Sequence, residues 1–306
     1  MRLIAALGSL LLACCLGSWV APEVSASTAK VRVVDADAPY PEGPLWRHGR
    51  LYYTDYANSR VTVWRHGRER TFWQQNGCGA SGLLPMPRSR LLVTCYDSDT
   101  LVELDRYGTV VRTIARDSAG RPFLGPNDFA RAPGGGIYFS ASGVYDVDAP
   151  VQGKIYHLAP GGRIHQVAAK LHYSNGLAVT PDGRHLLVAE MLANRVLGYR
   201  IRADGSLGER RVFADMRELT PGPPPTDPYT GPDGLKIGPD RRVYVAQNGT
   251  GRVVVTDLRG RFVRAPRVPA RYVTNVALGP GRALFVTAAF DANAEPYPGA
   301  VYELRR

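Results

Sequence analysis

The chain has 306 residues, 44% of them hydrophobic, which is enough to bury a sizeable core. Its 38 basic and 27 acidic residues give a net charge of +11, but the arginines are scattered along the chain and are not clustered with aromatic side chains. We therefore expect no nucleic-acid partner, while the surplus of positive charge leaves anionic substrates open.

The first 26 residues have the pattern of an export signal. Arg2 supplies a positive charge, residues 3–20 form an apolar run, and Val24-Ser25-Ala26 is a small-residue cleavage pattern. Two alternatives stay open, an uncleaved N-terminal anchor and a lipoprotein whose lipid is attached at Cys14. The pattern predicts an exported protein, secreted or held in the periplasm or cell envelope, with no membrane span after cleavage.

Cleavage after residue 26 would leave Cys78 and Cys95 as the two cysteines of the mature chain. In an oxidising compartment, two remaining thiols indicate one disulfide, and these two flank a predicted pair of strands. The alternative is two unpaired small residues near a channel. The sequence has no Cys/His spacing of the kind that forms a structural zinc site.

Residues 31–306 form short strands bounded by Gly, Pro, Asn and Asp, which is typical of an all-β fold. One unit of three strands, separated by a glycine-containing turn and a polar loop, recurs six times. The first strands of these units begin at Glu42, Ser81, Asn127, Asn175, Asp233 and Asn275. Their spacings of 39, 46, 48, 58 and 42 residues are those of propeller blades, and a β-sandwich would not explain six copies of one unit. The sequence predicts a six-bladed β-propeller, closed by an outer strand at residues 31–34.

Two insertions interrupt this spacing. Residues 141–153 lengthen a loop of the third copy, and residues 215–231, which include Pro221-Gly222-Pro223-Pro224-Pro225, lengthen the approach to the fifth. A proline-rich segment cannot join a strand ladder. It is either a surface excursion or, as we expect from its position just before Asp233, a lid over the channel mouth.

The first strand of each propeller blade lines the central channel, so the polar residues that begin these strands would face one another. Glu42, Asn127, Asn175 and Asp233 together offer two carboxylates and two amide oxygens. Such donors suit Ca²⁺ best, with Mg²⁺, Mn²⁺ or Zn²⁺ as alternatives. Each residue alone also fits an ordinary turn, because Asn-Gly and Asp-Gly are common turn dipeptides. Their shared register favours a metal site in the central channel.

Four motifs carry a resemblance to a known family; they are PEGPLW at 41–46, GPND at 125–128, SNGL at 174–177 with TPDG at 180–183, and GPDGL at 231–235. In this order and at blade spacing, the chain resembles the SMP-30/gluconolactonase/regucalcin-like family and, more distantly, the propellers of paraoxonase and diisopropyl fluorophosphatase. The resemblance implies that Glu42, Asn175 and Asp233 bind the catalytic metal, and that Asn127 binds the metal or the substrate. Regucalcin-like members hold the sugar with an arginine at the position of Gly125, so this departure argues against gluconolactone itself.

These features predict an exported, metal-dependent hydrolase of the lactonase type. The cation would polarise the lactone carbonyl, and Asp233 is the candidate catalytic base that activates water. Direct attack by Asp233 is an alternative. Two other functions stay open, a phosphotriester or ester hydrolase on the same metal site and a non-catalytic, calcium-stabilised ligand-binding propeller. We expect a monomer whose partner is a small-molecule lactone or ester substrate.

Overall fold

The six predicted blades are present as six four-stranded antiparallel sheets. A computed structural model describes residues 30–223, 225–292 and 294–306. The predicted export signal, residues 1–26, lies outside the described residues. Within the described residues, no helix is long and apolar enough to cross a membrane.

Each blade is built from consecutive strands, with one exception in blade six. Blade one is β2 (Pro41–Arg47), β3 (Arg50–Asp55), β4 (Arg60–Arg65) and β5 (Arg68–Gln74). Blade two is β6 (Ala80–Pro85), β7 (Leu91–Cys95), β8 (Thr100–Leu104) and β9 (Val110–Ile114). Blade three is β10 (Pro126–Arg131), β11 (Ile137–Ala141), β12 (Gly153–Leu158) and β13 (Ile164–Leu171).

The second half of the ring repeats this order. Blade four is β14 (Ser174–Val179), β15 (His185–Glu190), β16 (Arg195–Ile201) and β17 (Leu207–Asp215), followed by the short helix α1 (Met216–Leu219). Blade five is β18 (Gly231–Ile237), β19 (Arg242–Asn248), β20 (Arg252–Asp257) and β21 (Phe262–Arg264). Blade six is β22 (Tyr272–Leu278), β23 (Ala283–Ala289), β24 (Gly299–Arg305) and the early strand β1 (Arg32–Asp35).

The early strand closes the ring, as predicted. In the antiparallel pairing of β1 with β24, Arg32 lies opposite Glu303 and Val33 lies opposite Tyr302. The Arg32 guanidinium also forms an ion pair with the Glu303 carboxylate. The strand begins one residue later than the sequence predicted. The innermost strands complete the circle, because each contacts the next and β22 contacts β2.

The hydrophobic core is divided among the interfaces between neighbouring blades. One cluster joins Val61 of blade one to Val93 and Val102 of blade two, and the next joins Leu92 of blade two to Phe139 of blade three. The middle strand β7 is buried along its whole length, whereas the outer strand β9 is mostly exposed. Strands covered on both faces have nearly continuous apolar sequences.

Arginine-carboxylate pairs tie the turns of several blades and account for part of the arginine content. Arg60 Nε lies 2.6 Å from Asp55 Oδ2 in blade one, and Arg195 Nε lies 2.6 Å from Glu190 Oε2 in blade four. In both pairs the acid ends the second strand and the arginine begins the third. Planar guanidinium groups suit such partly buried ion pairs.

The two cysteines of the predicted mature chain lie at bonding distance. The Sγ atoms of Cys78 and Cys95 are 2.15 Å apart, so the structure contains the disulfide that the sequence indicated. Both residues are fully buried in the core cluster between blades one and two. The bond joins the segment that leads into β6 to the end of β7.

Candidate metal centre and active-site cavity

A β-bulge interrupts each of the six innermost strands next to its polar residue. The pairing of β2 with β3 shifts register between Glu42 and Leu45, and the pairing of β18 with β19 shifts between Pro232 and Leu235. Blades two, three and four shift at the equivalent place, whereas in blade six the shift lies between Val273 and Asn275, just before the polar residue. A bulge takes a side chain out of the regular alternation and re-aims it. The repeated bulge therefore positions the polar side chains at the start of the channel.

In blades one and five, the residue after the polar residue is a glycine, and the next blade's innermost strand lies too close to it for a side chain. A Cβ on Gly43, whose φ is +45°, would lie 2.0 Å from the carbonyl oxygen of Ser81 in blade two. A Cβ on Gly234 would lie 2.0 Å from the side chain of Asn275 in blade six. These residues lie inside strands rather than in turns. The glycines allow adjacent blades to meet at the axis.

One cavity of about 840 Å³ lies at this end of the channel, and all four predicted metal ligands line it. They come from blades one, three, four and five and are nearly inaccessible to solvent: Glu42, Asn127, Asn175 and Asp233. Ser81 of blade two lines the same cavity. Asn275 of blade six does not line the cavity: its Oδ1 accepts a 2.8 Å hydrogen bond from the Val276 N–H, and a hydrogen bond from its side chain lowers the pKa of Glu42. The structure therefore brings the predicted ligand set together.

The two carboxylates of the site are held in a setting that disfavours their charge. Burial, followed by the negative charge of Asp128, raises the pKa of Glu42 from 4.5 to about 8. Burial, followed by the charge of Glu42, raises the pKa of Asp233 well above its ordinary value of 3.8. A hydrogen bond of 3.3 Å from Asn248 Nδ2 to Asp233 Oδ2 opposes this shift. A positive partner is needed for both carboxylates to ionise together.

An ion pair beneath the site escaped the sequence analysis. Lys236 Nζ lies 2.9 Å from Oδ2 of Asp128, which is 2% exposed. The charge of Asp128 raises the pKa of both Glu42 and Asp233, whereas Lys236 lowers that of Glu42. One feature of the sequence could have indicated it: Asp128 stands where four other copies of the unit have glycine. Its partner lies 108 residues away, so only the fold reveals the pair.

The oxygen donors of the cavity fit a divalent cation. Asn175 Oδ1 and Asp233 Oδ1 are buried, and neither has a hydrogen-bond partner among the described residues. Buried acceptors left unpaired are costly, so a bound group at this place would stabilise them. No cluster of three or more His, Cys, Asp or Glu side chains in the described ranges is arranged to hold a metal. A cation here would therefore use amide oxygens beside the two carboxylates, a donor set that suits Ca²⁺.

Gly125, which stands where regucalcin-like members have a sugar-binding arginine, lies against an aromatic ring. Gly125 has a φ of +61°, and a Cβ on it would lie 2.6 Å from Cε2 of the Tyr96 ring. Tyr96 is fixed there, because its hydroxyl donates a 2.7 Å hydrogen bond to the carbonyl of Gly143. A longer side chain at position 125 would have to displace this ring.

Both predicted insertions reach the cavity. Tyr145 from residues 141–153 and Asp227 and Tyr229 from residues 215–231 line it, and the Tyr145 and Tyr229 ring centroids are 5.1 Å apart. Asp227 forms a 3.0 Å ion pair with Arg271, at the start of blade six. The end of the proline-rich insertion thus forms part of the cavity wall, in keeping with the predicted position over the mouth.

The charge of the cavity is opposite to that of the chain. No lysine, arginine or histidine among the described residues lines it, although the whole chain carries a net charge of +11. Its charged lining residues are all acidic: Glu42, Asp97, Asp227 and Asp233. The surplus of arginine lies elsewhere, so the lining supplies no basic side chain for the anionic substrate that the net charge left open.

The fold and the site define a six-bladed propeller with an oxygen-rich candidate cation site at one end of its channel. The chain belongs to the SMP-30/gluconolactonase/LRE-like family, whose model matches residues 40–290. This match bears out the resemblance that the motifs indicated.

The alignments with similar proteins cover different shares of the chain. An uncharacterised protein of Sulfolobus acidocaldarius is 26% identical over 282 residues, which are 90% of this chain and 95% of that protein. The lactonase drp35 of Staphylococcus aureus is 31% identical over 138 residues, 45% of this chain and 40% of the lactonase. A gluconolactonase of Zymomonas mobilis is 21% identical over 212 residues, 61% of this chain and 60% of that enzyme. The aligned regions thus span less than two thirds of both named enzymes.

Solved structures share the fold over most of the chain. A gluconolactonase of Xanthomonas campestris has a TM-score of 0.75 at 23% identity, covering 90% of this chain and 89% of that one. The calcium-binding regucalcin of Agrobacterium tumefaciens has the same TM-score and identity, covering 90% and 93% of the two chains. At this level of identity the likeness concerns the fold.

Proposed function

We propose that the protein is an exported, metal-dependent lactonase. The observation that carries the proposal is a pair of buried oxygens, Asn175 Oδ1 and Asp233 Oδ1, which lack a hydrogen-bond partner in the described part of the chain and lie in a cavity that also holds Glu42. Membership of a family that includes gluconolactonases supports lactone chemistry. The departure at Gly125 argues for a lactone other than gluconolactone.

Four residues would hold the cation. Glu42 and Asp233 supply two negative charges, and Asn127 and Asn175 supply amide oxygens. When bound, the cation provides Lewis-acid polarisation of the substrate carbonyl. The carboxylates, whose pKa values are raised without it, would then both be ionised. Asn127 lines the same cavity, which supports its second proposed role, a hydrogen bond to the substrate.

Asp233 is the proposed base. Its carboxylate would accept a proton from a water molecule as the water oxygen forms a bond with the lactone carbonyl carbon. The ring C–O bond then breaks, and the departing oxygen takes a proton back from Asp233. The products are one carboxyl and one hydroxyl group on the same molecule, so water is consumed and the base is restored. Asn248, which donates to Oδ2, would hold the carboxylate in position.

The test is hydrolysis of a panel of lactones with chelator, followed by calcium add-back. We expect activity to disappear with chelator and to return with Ca²⁺, and Asp233→Asn to lower kcat by about 100-fold or more while the protein stays folded. Ser81→Ala is the matched control, because Ser81 lines the cavity without being a proposed ligand. Full activity in chelator would overturn the metal dependence. Turnover of phosphotriesters alone, or a rise in Tm with Ca²⁺ and no turnover at all, would favour the two alternative functions.

We also propose that the protein is exported. The signal-like residues 1–26 and the Cys78–Cys95 disulfide support this together, since such bonds persist in oxidising compartments. Mass spectrometry of the mature protein from cell fractions is expected to find an N-terminus near residue 27 and no free thiol. An intact residue 1 in the cytoplasmic fraction, with both thiols free, would contradict export.

A further inference from the structure

Seven tyrosine rings follow one another around the wall of the cavity. Ring centroids are 6.1 Å apart from Tyr297 to Tyr40, 5.6 Å from Tyr40 to Tyr56 and 6.2 Å from Tyr56 to Tyr96. These spacings are those of interacting aromatic pairs. All four residues line the cavity that holds the candidate cation site.

The series continues from Tyr96 into both insertions. Centroids are 6.2 Å apart from Tyr96 to Tyr173, 4.8 Å from Tyr173 to Tyr145 and 5.1 Å from Tyr145 to Tyr229. We call the seven rings from Tyr297 to Tyr229 the tyrosine arc. It joins residues of several blades and of both long loops into one aromatic surface.

Three members of the arc have an unusual backbone. Tyr40, Tyr173 and Tyr297 have φ values of +38°, +61° and +55°. Bulky residues avoid this left-handed region, and those that adopt it tend to cluster at functional sites. Tyr40 and Tyr173 each stand two residues before a proposed ligand, Glu42 and Asn175. The backbone that sets the candidate cation site also sets these rings.

Several hydroxyls of the arc are already engaged by the protein. Tyr56 donates to Asp97 Oδ1 at 2.7 Å, and Tyr96 donates to the Gly143 carbonyl at 2.7 Å. These two hydroxyls are not free to donate a hydrogen bond to a polyhydroxylated ligand, whereas their rings still form part of the wall. The described lining also lacks the arginine, lysine or histidine that would hold a carboxylate or phosphate.

We propose that the tyrosine arc is the specificity surface of the enzyme, and that its substrates are neutral lactones carrying an aromatic ring. This inference rests on the proposed lactonase function. A cavity of about 840 Å³ is in the range that encloses drug-sized ligands, well beyond a lone lactone ring.

The deciding substrates are a matched pair, γ-phenyl-γ-butyrolactone and γ-butyrolactone, with glucono-δ-lactone as the sugar comparison. We expect kcat/KM to be at least roughly tenfold higher for the phenyl compound, as aromatic contact and burial of a ring predict. Equal values for the matched pair, or a higher value for glucono-δ-lactone, would overturn the inference while leaving a lactonase.

Variants of Tyr145 separate the ring from its hydroxyl. Tyr145 is 40% exposed and contacts two other rings, so its replacement leaves the blades intact. Tyr145→Leu is expected to raise KM for the phenyl lactone by about fivefold with little change in kcat, whereas Tyr145→Phe keeps the wild-type value. Tyr107→Leu, at an exposed tyrosine outside the cavity, is the control. An unchanged KM in Tyr145→Leu would contradict the role of the arc.

A binding measurement separates this inference from the proposed function. If no lactone is hydrolysed, calorimetric titration with the phenyl lactone still reports on the arc. Binding that weakens in Tyr145→Leu and not in Tyr145→Phe supports an aromatic ligand even though the lactonase proposal fails. The absence of binding in the wild-type protein would reject the inference as well.

Discussion

Lys236 and Asp128 pair across the central channel, from blade five to blade three past the intervening blade four. On one side of the pair lies the polar cavity with Glu42 and Asp233. On the other side the channel wall is apolar and includes Leu177. The pair therefore stands at the boundary between the two parts of the channel, and Lys236 offsets the buried Asp128 carboxylate, which is not among the proposed cation ligands.

Replacement of Lys236 by methionine is expected to destabilise the protein by about 3 kcal/mol, because the Asp128 carboxylate would be left buried without its partner. The free energy of unfolding in urea measures the effect. Adding Asp128→Asn should recover much of the loss, since no unpaired charge then remains. Arg211→Met is the control, because the Arg211–Glu209 pair is fully on the surface and contributes little. A loss no larger than that of the control would show that Asp128 is not buried with its charge.

Stability of the cation-free protein is expected to fall as the pH rises from about 5 to 8. Burial raises the pKa of Glu42 from 4.5 to about 8, so in this range the folded protein keeps a proton that the unfolded chain has released. The stabilisation that comes from this retained proton is complete below the pKa of Glu42 in the unfolded chain. It is lost as the pH rises through the pKa of about 8 that Glu42 has in the folded protein.

Urea unfolding in chelator at several pH values tests this dependence. Glu42→Gln should flatten the profile, both by removing this carboxylate and by removing its charge from beside Asp233. Glu209→Gln, an exposed substitution, should leave the slope unchanged. A wild-type profile that is flat or rises over this range would contradict the raised pKa.

A methyl group at position 43 is expected to disturb the contact between blades one and two. Gly43→Ala would place its Cβ 2.0 Å from the Ser81 carbonyl oxygen, and we expect it to lower the free energy of unfolding by at least about 3 kcal/mol. Gly49→Ala separates this clash from backbone strain, because Gly49 also has a positive φ and has nothing within 4 Å. Its cost should be about 1 kcal/mol. Similar losses in the two variants would show that the strands do not approach so closely.

The disulfide is expected to stabilise the folded protein by about 3 kcal/mol, because it closes a loop of 17 residues in the unfolded chain. The Cys78→Ala/Cys95→Ala protein should unfold at a lower Tm than the oxidised wild type. Reductant should lower the Tm of the wild type toward that of the double variant and leave the variant itself unchanged. A wild-type Tm that does not respond to reductant, with free thiols found by titration, would show that the bond does not form.

The sequence sufficed for the architecture and for the convergence of the candidate cation ligands, because both depend on a unit that repeats along the chain. Glu42, Asn175 and Asp233 hold the same place in successive copies of one unit, and a ring brings equal places together. The closing strand at residues 31–34 could be predicted too, since this segment precedes the first copy and has no partner of its own there.

The tyrosine arc and the Asp128–Lys236 pair could not be predicted in this way. Tyr145 and Tyr229 lie in insertions that break the repeat, 84 residues apart, so no spacing relates them. Lys236 lies between Leu235 and Ile237 in β18, and nothing in this local sequence indicates that its partner is Asp128. Such contacts depend on how loops fold over the ring and on which side chains meet across the channel.

The pairing of β1 with β24 makes one blade out of segments that are far apart, with Arg32 and Glu303 separated by 271 positions. Every other blade is complete within a short stretch of sequence. A circularly permuted chain that began after β1 and carried this strand beyond β24 would convert blade six into a local unit like the other five. Trimming β1 would have the opposite effect: β24 would become an open sheet edge with unpaired N–H and C=O groups, on which another chain can assemble.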